Sequence, residues 1–412
     1  GKEEAGRRRE RYGFVGAERP GEGPLVWVHA ASVGESAAVA PLVREIAGED
    51  INIVMTTGTV TSAALVRERL AGSVVHQYVP LDLKPSVSRF LDHWRPDVAI
   101  VAESEIWPMT MLELGRRRIP QILVNARLSD RSFKRWKSAP SLAEALLENL
   151  SHVVAQSDVD GERYHLLGAR AVTVAGNLKA DTTPPPFDPM ALQDLKCAIG
   201  DRPVWAAVST HQGEEEMAAD VHLELKLRNP QLLTIVVPRH VERSDALEKA
   251  FAAKGLSVVR RSSRVPPDAS TDILLGDTMG EMGLYLRLTE IAFVGRSLSG
   301  QGGQNPIEAA MLGTAILSGR YVQNFRDTYQ RLLKNGGARL VKDKAGLTGL
   351  VGQLLDEPDL RLRMMEAAGE TVGEMRGALA RTMQALEPFL HPLKVAISLD
   401  SRSGDRFGPT SP

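Results

Sequence analysis

A single cysteine, Cys197, stands in the whole chain. No internal disulfide can therefore close, and no Cys/His cluster has the spacing of a zinc site, which argues for a reducing compartment and against a structural metal. No cofactor is expected. An excess of either charge is also lacking: 50 basic against 51 acidic residues leave a formal charge of -1, so a nucleic-acid partner has no global electrostatic support. Long apolar runs are missing too. No window approaches the ~20 apolar residues of a spanning helix, and no secretory signal precedes the first predicted strand. The chain opens on Gly1 and the charged stretch "GKEEAGRRRERYGF"; an anchor segment is expected upstream of residue 1.

What is present is a rhythm. A length of 412 residues suits two domains, and short β-branched runs alternate with helical periodicity from end to end. That is the pattern of parallel sheets with crossover helices. The first series runs Leu25–Ala30, Asn52–Thr57, Val75–Pro80, Asp97–Glu103, Gln121–Ala126, His152–Gln156 and Ala171–Ala175. "DTTPPPFDP" (Asp181–Pro189) then interrupts it, because successive prolines fix φ and remove donors. The second series is Val204–Thr210, Leu232–Pro238, Leu256–Arg260, Ile273–Gly276, Ile291–Gly295 and Thr314–Ser318. The expected organisation is α/β, with two doubly wound Rossmann-like domains over residues 1–180 and 190–388 facing a central cleft. Residues 181–189 form the linker, and 389–412 a polar tail. Ligands of such sheets bind outside the carboxyl ends of the strands.

Candidate chemistry lies in those loops. Ser32-Val33-Gly34-Glu35 fits a capping box, in which Glu35 reaches back to the amide of the cap. The surrounding small residues leave room for a ligand, and a helix start keeps a carboxylate ionised as a general base requires; the two roles are compatible. "MTTGTVTSA" (Met55–Ala63) reads equally as ordinary caps or as an anion or sugar loop. In "AESEIWP", Glu103 and Glu105 share a face if the strand persists, and two close carboxylates raise one pKa. From Arg116 to Lys137 there are eight basic residues and one acidic, with Phe133 and Trp136 interleaved; a solvated helix face and an anionic amphiphile both suit this. "STHQGEEE" places Ser209 and Thr210 before an acidic helix start, and "VPRH" ends a strand with Arg239, a natural phosphate fork. "VGRSLSGQGGQNPIEAA" has Gly300, Gly302 and Gly303 leading to Asn305 as N-cap, Pro306 at N1 and Glu308 at N3, the pattern of a phosphate cradle. It matches neither the P-loop nor the dinucleotide fingerprint.

Together, "ERYGF", "HAASVGE", "TTGTVTS", "YVPLD", "AESEIWP", "NARLSDRS", "GNLKAD", "STHQGEEE", "VPRH", "GDTMGE", "FVGRSLSGQGGQNPIEAA" and "NFRDTY", in order from about Glu10 to Pro388, resemble the Kdo (3-deoxy-manno-octulosonic acid) transferases of lipopolysaccharide assembly, enzymes of GT-B architecture. The resemblance implies inverting, metal-independent transfer of Kdo from CMP-Kdo to a lipid A precursor at the cytoplasmic face of the inner membrane. The N-terminal domain would then bind the acceptor and the C-terminal domain the CMP-sugar. It further implies Glu35 as the general base, with Glu105 supporting a sugar in the catalytic site. Lys179, Ser209, Thr210, Arg239, Gly302, Gly303 and Asn305 would face the donor's anionic groups, Met279 and Gly280 the nucleobase, and Glu308 the ribose. Arg127, Arg131, Lys134 and Arg135 would meet the phosphates of the lipid acceptor. The chain departs from the family in reading Gln304 where a histidine is usual. A sugar-nucleotide epimerase of the same architecture and a non-catalytic binding module are the rival readings.

Overall fold

Runs of Val, Ile and Leu without polar interruption become parallel strands covered on both faces. β1 (Leu25–His29), β2 (Asn52–Thr57), β3 (Val75–Tyr78), β4 (Val98–Ala102), β5 (Gln121–Ala126), β6 (His152–Ala155) and β7 (Val172–Val174) form a sheet of order β3-β2-β1-β4-β5-β6-β7. β8 (Val204–Thr210), β9 (Leu233–Pro238), β10 (Val258–Arg260), β11 (Ile273–Leu275), β12 (Ile291–Val294), β13 (Ala315–Gly319) and β14 (Ala338–Val341) form a second, ordered β10-β11-β9-β8-β12-β13-β14. The computed structural model describes residues 4–21, 23–299 and 302–404. It divides into one unit of Gly1–Thr182 with Met375–Pro412, and another of Thr183–Glu374.

In the first unit, the two-residue period of the strands distributes side chains to opposite layers. Val26 and Val28 join Val39 and Val43 in one core, while Leu25 and Trp27 pack with Phe90 and Trp94 in another. The order of strands reverses between β1 and β4, so the connections leaving their carboxyl ends diverge and open a crevice there. In the second unit the same reversal falls between β8 and β12. No described helix is long and apolar enough to cross a membrane.

Two expectations change. Residues 389–404 are not a polar tail: the helix Ala378–Gly404 runs through Pro388 and Pro392. Leu386 and Leu390 are buried in the first unit's core, with Leu393 and Ile397 packed against it. That apolar spacing continues one helical stripe past the prolines, and its burial outweighs their cost to the helix. Asp181 fixes the return of the chain by accepting the amides of Gly377 at 2.7 Å and Leu379 at 2.6 Å. Only Glu374 and what precedes it stay with the second sheet, so the expected 190–388 domain ends early. Residues 405–412 of the expected tail lie outside the described residues. The second change is β14, which the sequence reading lacks. It is a four-residue strand with Leu340 exposed, too short and too mixed to stand out.

The N-terminal turn Ala5–Tyr12 is tied to β3. Glu10 is buried and accepts from Arg7 at 2.7 and 2.9 Å and from the Tyr78 amide at 2.7 Å. Arg7 Nη2 also reaches His76 Nδ1 at 3.1 Å. Since a guanidinium only donates, Nδ1 accepts, and the ring's proton sits on Nε2 against Thr57 Oγ1 at 2.9 Å. Burial first, then Arg7 and Arg67, push His76 down to about 3. Below the ordinary value of 6.5 the unfolded chain therefore binds a proton that the folded chain refuses. Stability is full above that value and is lost as pH falls toward 3, by about 1.4 kcal/mol per unit of separation. Urea midpoints at pH 7 and pH 5 should fall more in the wild type than in His76→Gln; parallel falls would contradict this.

Candidate functional site

The crevice of the first sheet is built around Glu35. Ser32 caps the helix Val33–Ala47, its Oγ accepting from the Glu35 amide at 3.3 Å and donating to Glu35 Oε1 at 2.7 Å. The other carboxylate oxygen accepts from the amide of Ala31 at 2.8 Å. The capping box thus closes on Ala31 and the Ser32 hydroxyl, not on the cap's own amide. Burial raises the Glu35 pKa, the charges of Glu103 and then Glu105 add to the rise, and the Ser32 and Ala31 hydrogen bonds oppose it.

Glu103 and Glu105 reach this crevice by a route different from the expected one. β4 ends at Ala102, and Glu103 takes a left-handed φ of 55°, so strand alternation does not continue and the two carboxylates do not share a strand face. Each turns to its own partner. Glu103 Oε1 receives Lys179 Nζ at 2.8 Å. Glu105 Oε2 receives the indole of Trp107 at 2.7 Å and faces His29 Nε2 at 3.9 Å. Burial would raise Glu105, yet His29 and Trp107 together hold it below the usual range. Of the pair, Glu105 is lowered where a raised carboxylate was expected, and the raised group is Glu35.

Lys179 enters from the turn Leu178–Asp181, which Asn177 caps by accepting the Lys179 amide at 3.0 Å. Asn125, itself at φ 50°, accepts the Leu178 amide at 3.0 Å. The Met55–Ala63 loop resolves to ordinary caps. Thr59 and Ser62 exchange side-chain and backbone bonds at 3.1 and 3.2 Å, and a Cβ on Gly58 would meet the Ala31 carbonyl at 3.0 Å. The last part of the basic segment forms the helix Asp130–Lys137, with Arg131, Lys134 and Arg135 exposed and Arg127 half-buried before it. Its aromatics face the other way: Phe133 and Trp136 pack on the core around Leu128 and Tyr164.

In the second unit, the loops after β8, β9 and β12 converge. Ser209 takes φ 52°, while Thr210 is fully buried with its hydroxyl on the Val237 carbonyl at 3.4 Å. Thr210 therefore braces the turn and does not present its hydroxyl. Arg239 is exposed, its amide bonded to Thr210 O at 2.9 Å. The His211 and His240 rings stand edge-to-face 5.6 Å apart beside it. The acidic helix start also has a function that the sequence did not reveal. Glu214, buried, accepts amides from His211, Arg296, Ser297, Leu298 and Ser299 at 3.0, 2.6, 2.9, 3.0 and 3.4 Å. The anion held by the loop after β12 is thus the protein's own carboxylate.

The glycines that follow are also committed. Gly302 N donates to Gln323 Oε1 at 3.2 Å and Gly303 N to Arg296 O at 3.1 Å. Both have left-handed φ, and a Cβ would meet Asn324 at 2.4 Å from Gly302 and Tyr321 O at 3.0 Å from Gly303. Their smallness serves close packing on residues 321–324, a correction to the amide cradle read from the sequence. Gly300 lies outside the described residues. The helix begins at Ile307, one residue later than expected, and is five residues long. Asn305 Oδ1 still accepts the Ile307 amide at 3.1 Å, and Glu308 is exposed. Met279 is 67% exposed and Gly280 has φ 82° with open space where a Cβ would sit. Arg261 holds the adjoining Glu281 with two bonds, at 2.8 and 3.2 Å.

Residues 6–182 match the family model of 3-deoxy-D-manno-octulosonic-acid transferase (kdotransferase). The 3-deoxy-D-manno-octulosonic acid transferase of Haemophilus influenzae is 36% identical over 387 residues, covering 92% of this chain and 91% of that protein. The Bordetella pertussis enzyme of the same name is 36% identical over 393 residues, with 92% and 91% covered. Among solved structures, a putative UDP-N-acetylglucosamine 2-epimerase from Listeria monocytogenes superposes with a TM-score of 0.59 at 14% identity, over 89% of this chain and 96% of that one. That likeness concerns the two-domain GT-B fold alone. The reaction follows the sequence relatives: the chain belongs to the 3-deoxy-D-manno-octulosonic acid transferase family and is a glycosyltransferase.

Proposed function

We propose that this enzyme transfers Kdo from CMP-Kdo to a lipid A precursor with inversion, using Glu35 as general base and no metal ion. The observation that carries the reading is the unequal treatment of three neighbouring carboxylates. Glu103 has a cation, Lys179, and Glu105 has His29 and Trp107. Glu35 has two neutral donors and a raised pKa. Environments that push neighbouring carboxyl groups apart assign their roles, and the one with heightened proton affinity is the base. It takes the proton of the attacking sugar hydroxyl as the anomeric carbon passes through an oxocarbenium-like state and CMP departs as a phosphate monoester.

The leaving anion needs positive charge. Arg239 supplies it in this reading, with Ser209 and Asn305 as hydrogen-bonding neighbours. Thr210, Gly302 and Gly303 shape the loops from behind. Met279 and Gly280 border the nucleobase, and Glu308 accepts from the ribose. Arg127, Arg131, Lys134 and Arg135 face the acceptor's phosphates and the anionic cytoplasmic face of the inner membrane. The test is transfer from CMP-Kdo, generated in situ, to a lipid A precursor in detergent with EDTA present, followed by mass spectrometry of the lipid. One Kdo mass or more should be added. Donor binding without any mass added to the lipid would overturn the acceptor assignment.

A further inference from the structure

The ring of His29 enters the reading above only as a neighbour of Glu105, yet it is tightly constrained. It ends β1 on the face shared by Leu25 and Trp27 and is 2% exposed. Nδ1 lies 3.1 Å from the carbonyl oxygen of Thr56 and 2.9 Å from its hydroxyl. Trp27 Nε1 donates to that same hydroxyl at 2.8 Å. A carbonyl oxygen only accepts, so Nδ1 carries a proton.

Nε2 is then the atom left to face the crevice. It is shielded from solvent, has no hydrogen-bond partner, and lies 3.9 Å from Glu105 Oε2. The pocket around it is mostly apolar, with Val101, Ile106, Met111 and Leu123 in its lining and Thr110 and Gln121 as further polar side chains. A bare Nε2 lone pair there would oppose a carboxylate; a proton on it turns the opposition into attraction. An unpaired buried nitrogen is costly, whereas a small rotation of Glu105 brings its oxygen within bonding distance.

We infer that His29 is a positioning residue of the transferase site: held by Thr56 at Nδ1, it presents a proton from Nε2 to Glu105 and so fixes that carboxylate, and the Trp107 indole bound to it, beside Glu35. The chain Trp27–Thr56–His29–Glu105–Trp107 thereby connects the core to the crevice. Glu35, whose raised proton affinity Glu105 contributes to, is the charged neighbour that this carboxylate acts on. The inference rests on Glu35 being the base, because orienting Glu105 matters through its neighbour.

Two measurements test it. In the full chain labelled with ¹⁵N-histidine, the signals lost in His29→Gln identify the ring. The wild-type ring should show both nitrogens protonated, and Glu105→Gln should leave Nδ1 protonated while Nε2 loses its proton. A bare Nε2 in the wild type, unmoved by Glu105→Gln, overturns the inference, and this result needs no activity. In kinetics, His29→Phe should lower kcat by roughly tenfold to a hundredfold, as small displacements of catalytic groups do, with KM for CMP-Kdo unchanged. Its acid limb of kcat/KM should steepen, because Glu105 without its donor takes up a proton in the range where Glu35 does. His29→Gln, whose amide can donate from near the Nε2 position, should recover most of the loss. Wild-type kcat and pH profile in His29→Phe would overturn the inference as well. Full activity in Glu35→Gln would instead remove the base assignment while leaving the ¹⁵N result standing, so the two failures are distinguishable.

Discussion

Glu35→Gln is expected to lower Kdo transfer by roughly 10²–10⁴-fold, the range for loss of a positioned general base, while donor binding and the fold persist. Gln is nearly isosteric and keeps an acceptor for the Ala31 amide or the Ser32 hydroxyl. The structural loss is therefore at most that of a weakened cap, about 1 kcal/mol. What disappears is proton affinity. The pH dependence follows from the same environment. Glu35 must be ionised to accept a proton, and burial, Glu103 and Glu105 hold its pKa above the ordinary 4.5. The acid limb of kcat/KM should accordingly lie above the range of an ordinary glutamate, with activity falling as pH drops through it. Glu103→Gln should move that limb to lower pH, since it removes a negative neighbour and frees the Lys179 charge that Glu103 now occupies. A limb that stays in place in Glu103→Gln, or Glu35→Gln activity within tenfold of wild type, would return Glu35 to the role of a helix cap.

Glu214→Ala should destabilise the second unit by about 3–5 kcal/mol. Five amides converge on that one buried side chain, four of them from consecutive residues, Arg296 to Ser299, at the end of β12. Each amide left without an acceptor costs about 1–3 kcal/mol, and water entering the space recovers part of it. Trp205, fully buried in β8, reports the loss by fluorescence during urea unfolding. Gly303 hangs from the carbonyl of Arg296 in the same loop, so surviving protein should also bind CMP-Kdo more weakly, a change in KM more than in kcat. Glu214→Gln should show a milder version, because one carboxamide oxygen still accepts while its amino group opposes the remaining donors. Denaturation midpoints equal to wild type in Glu214→Ala would mean that the loop finds other acceptors.

These two glutamates differ in how far the sequence reveals them. Glu35 announces itself locally: Ser32 three residues before it, small residues around it and an apolar strand ahead of it. The parallel sheets are legible for the same reason. Strand and crossover periods are short-range properties, and β2, β5 and β8 lie where the apolar runs put them. Glu214 looks like one more acid in a helix's first turn, since nothing near it shows that amides 82–85 residues later lack acceptors. The glycines at 302 and 303 mislead in the same way. Their freedom is visible in sequence, but Gln323 and Asn324, which use it, are not.

By itself, then, the sequence determined the layers of each domain, the strand-to-helix turns where chemistry can occur, and the carboxylate that opens the first long helix. Tertiary structure alone decided which residues meet there. Lys179 reaches Glu103 across 76 positions, His29 approaches Glu105 across the β1–β4 reversal, and the helix Ala378–Gly404 returns to the first unit through Asp181. Periodicity is written within a few residues because it reflects backbone geometry. Partnership is written by the order of strands in a sheet, which brings together side chains that share no local pattern.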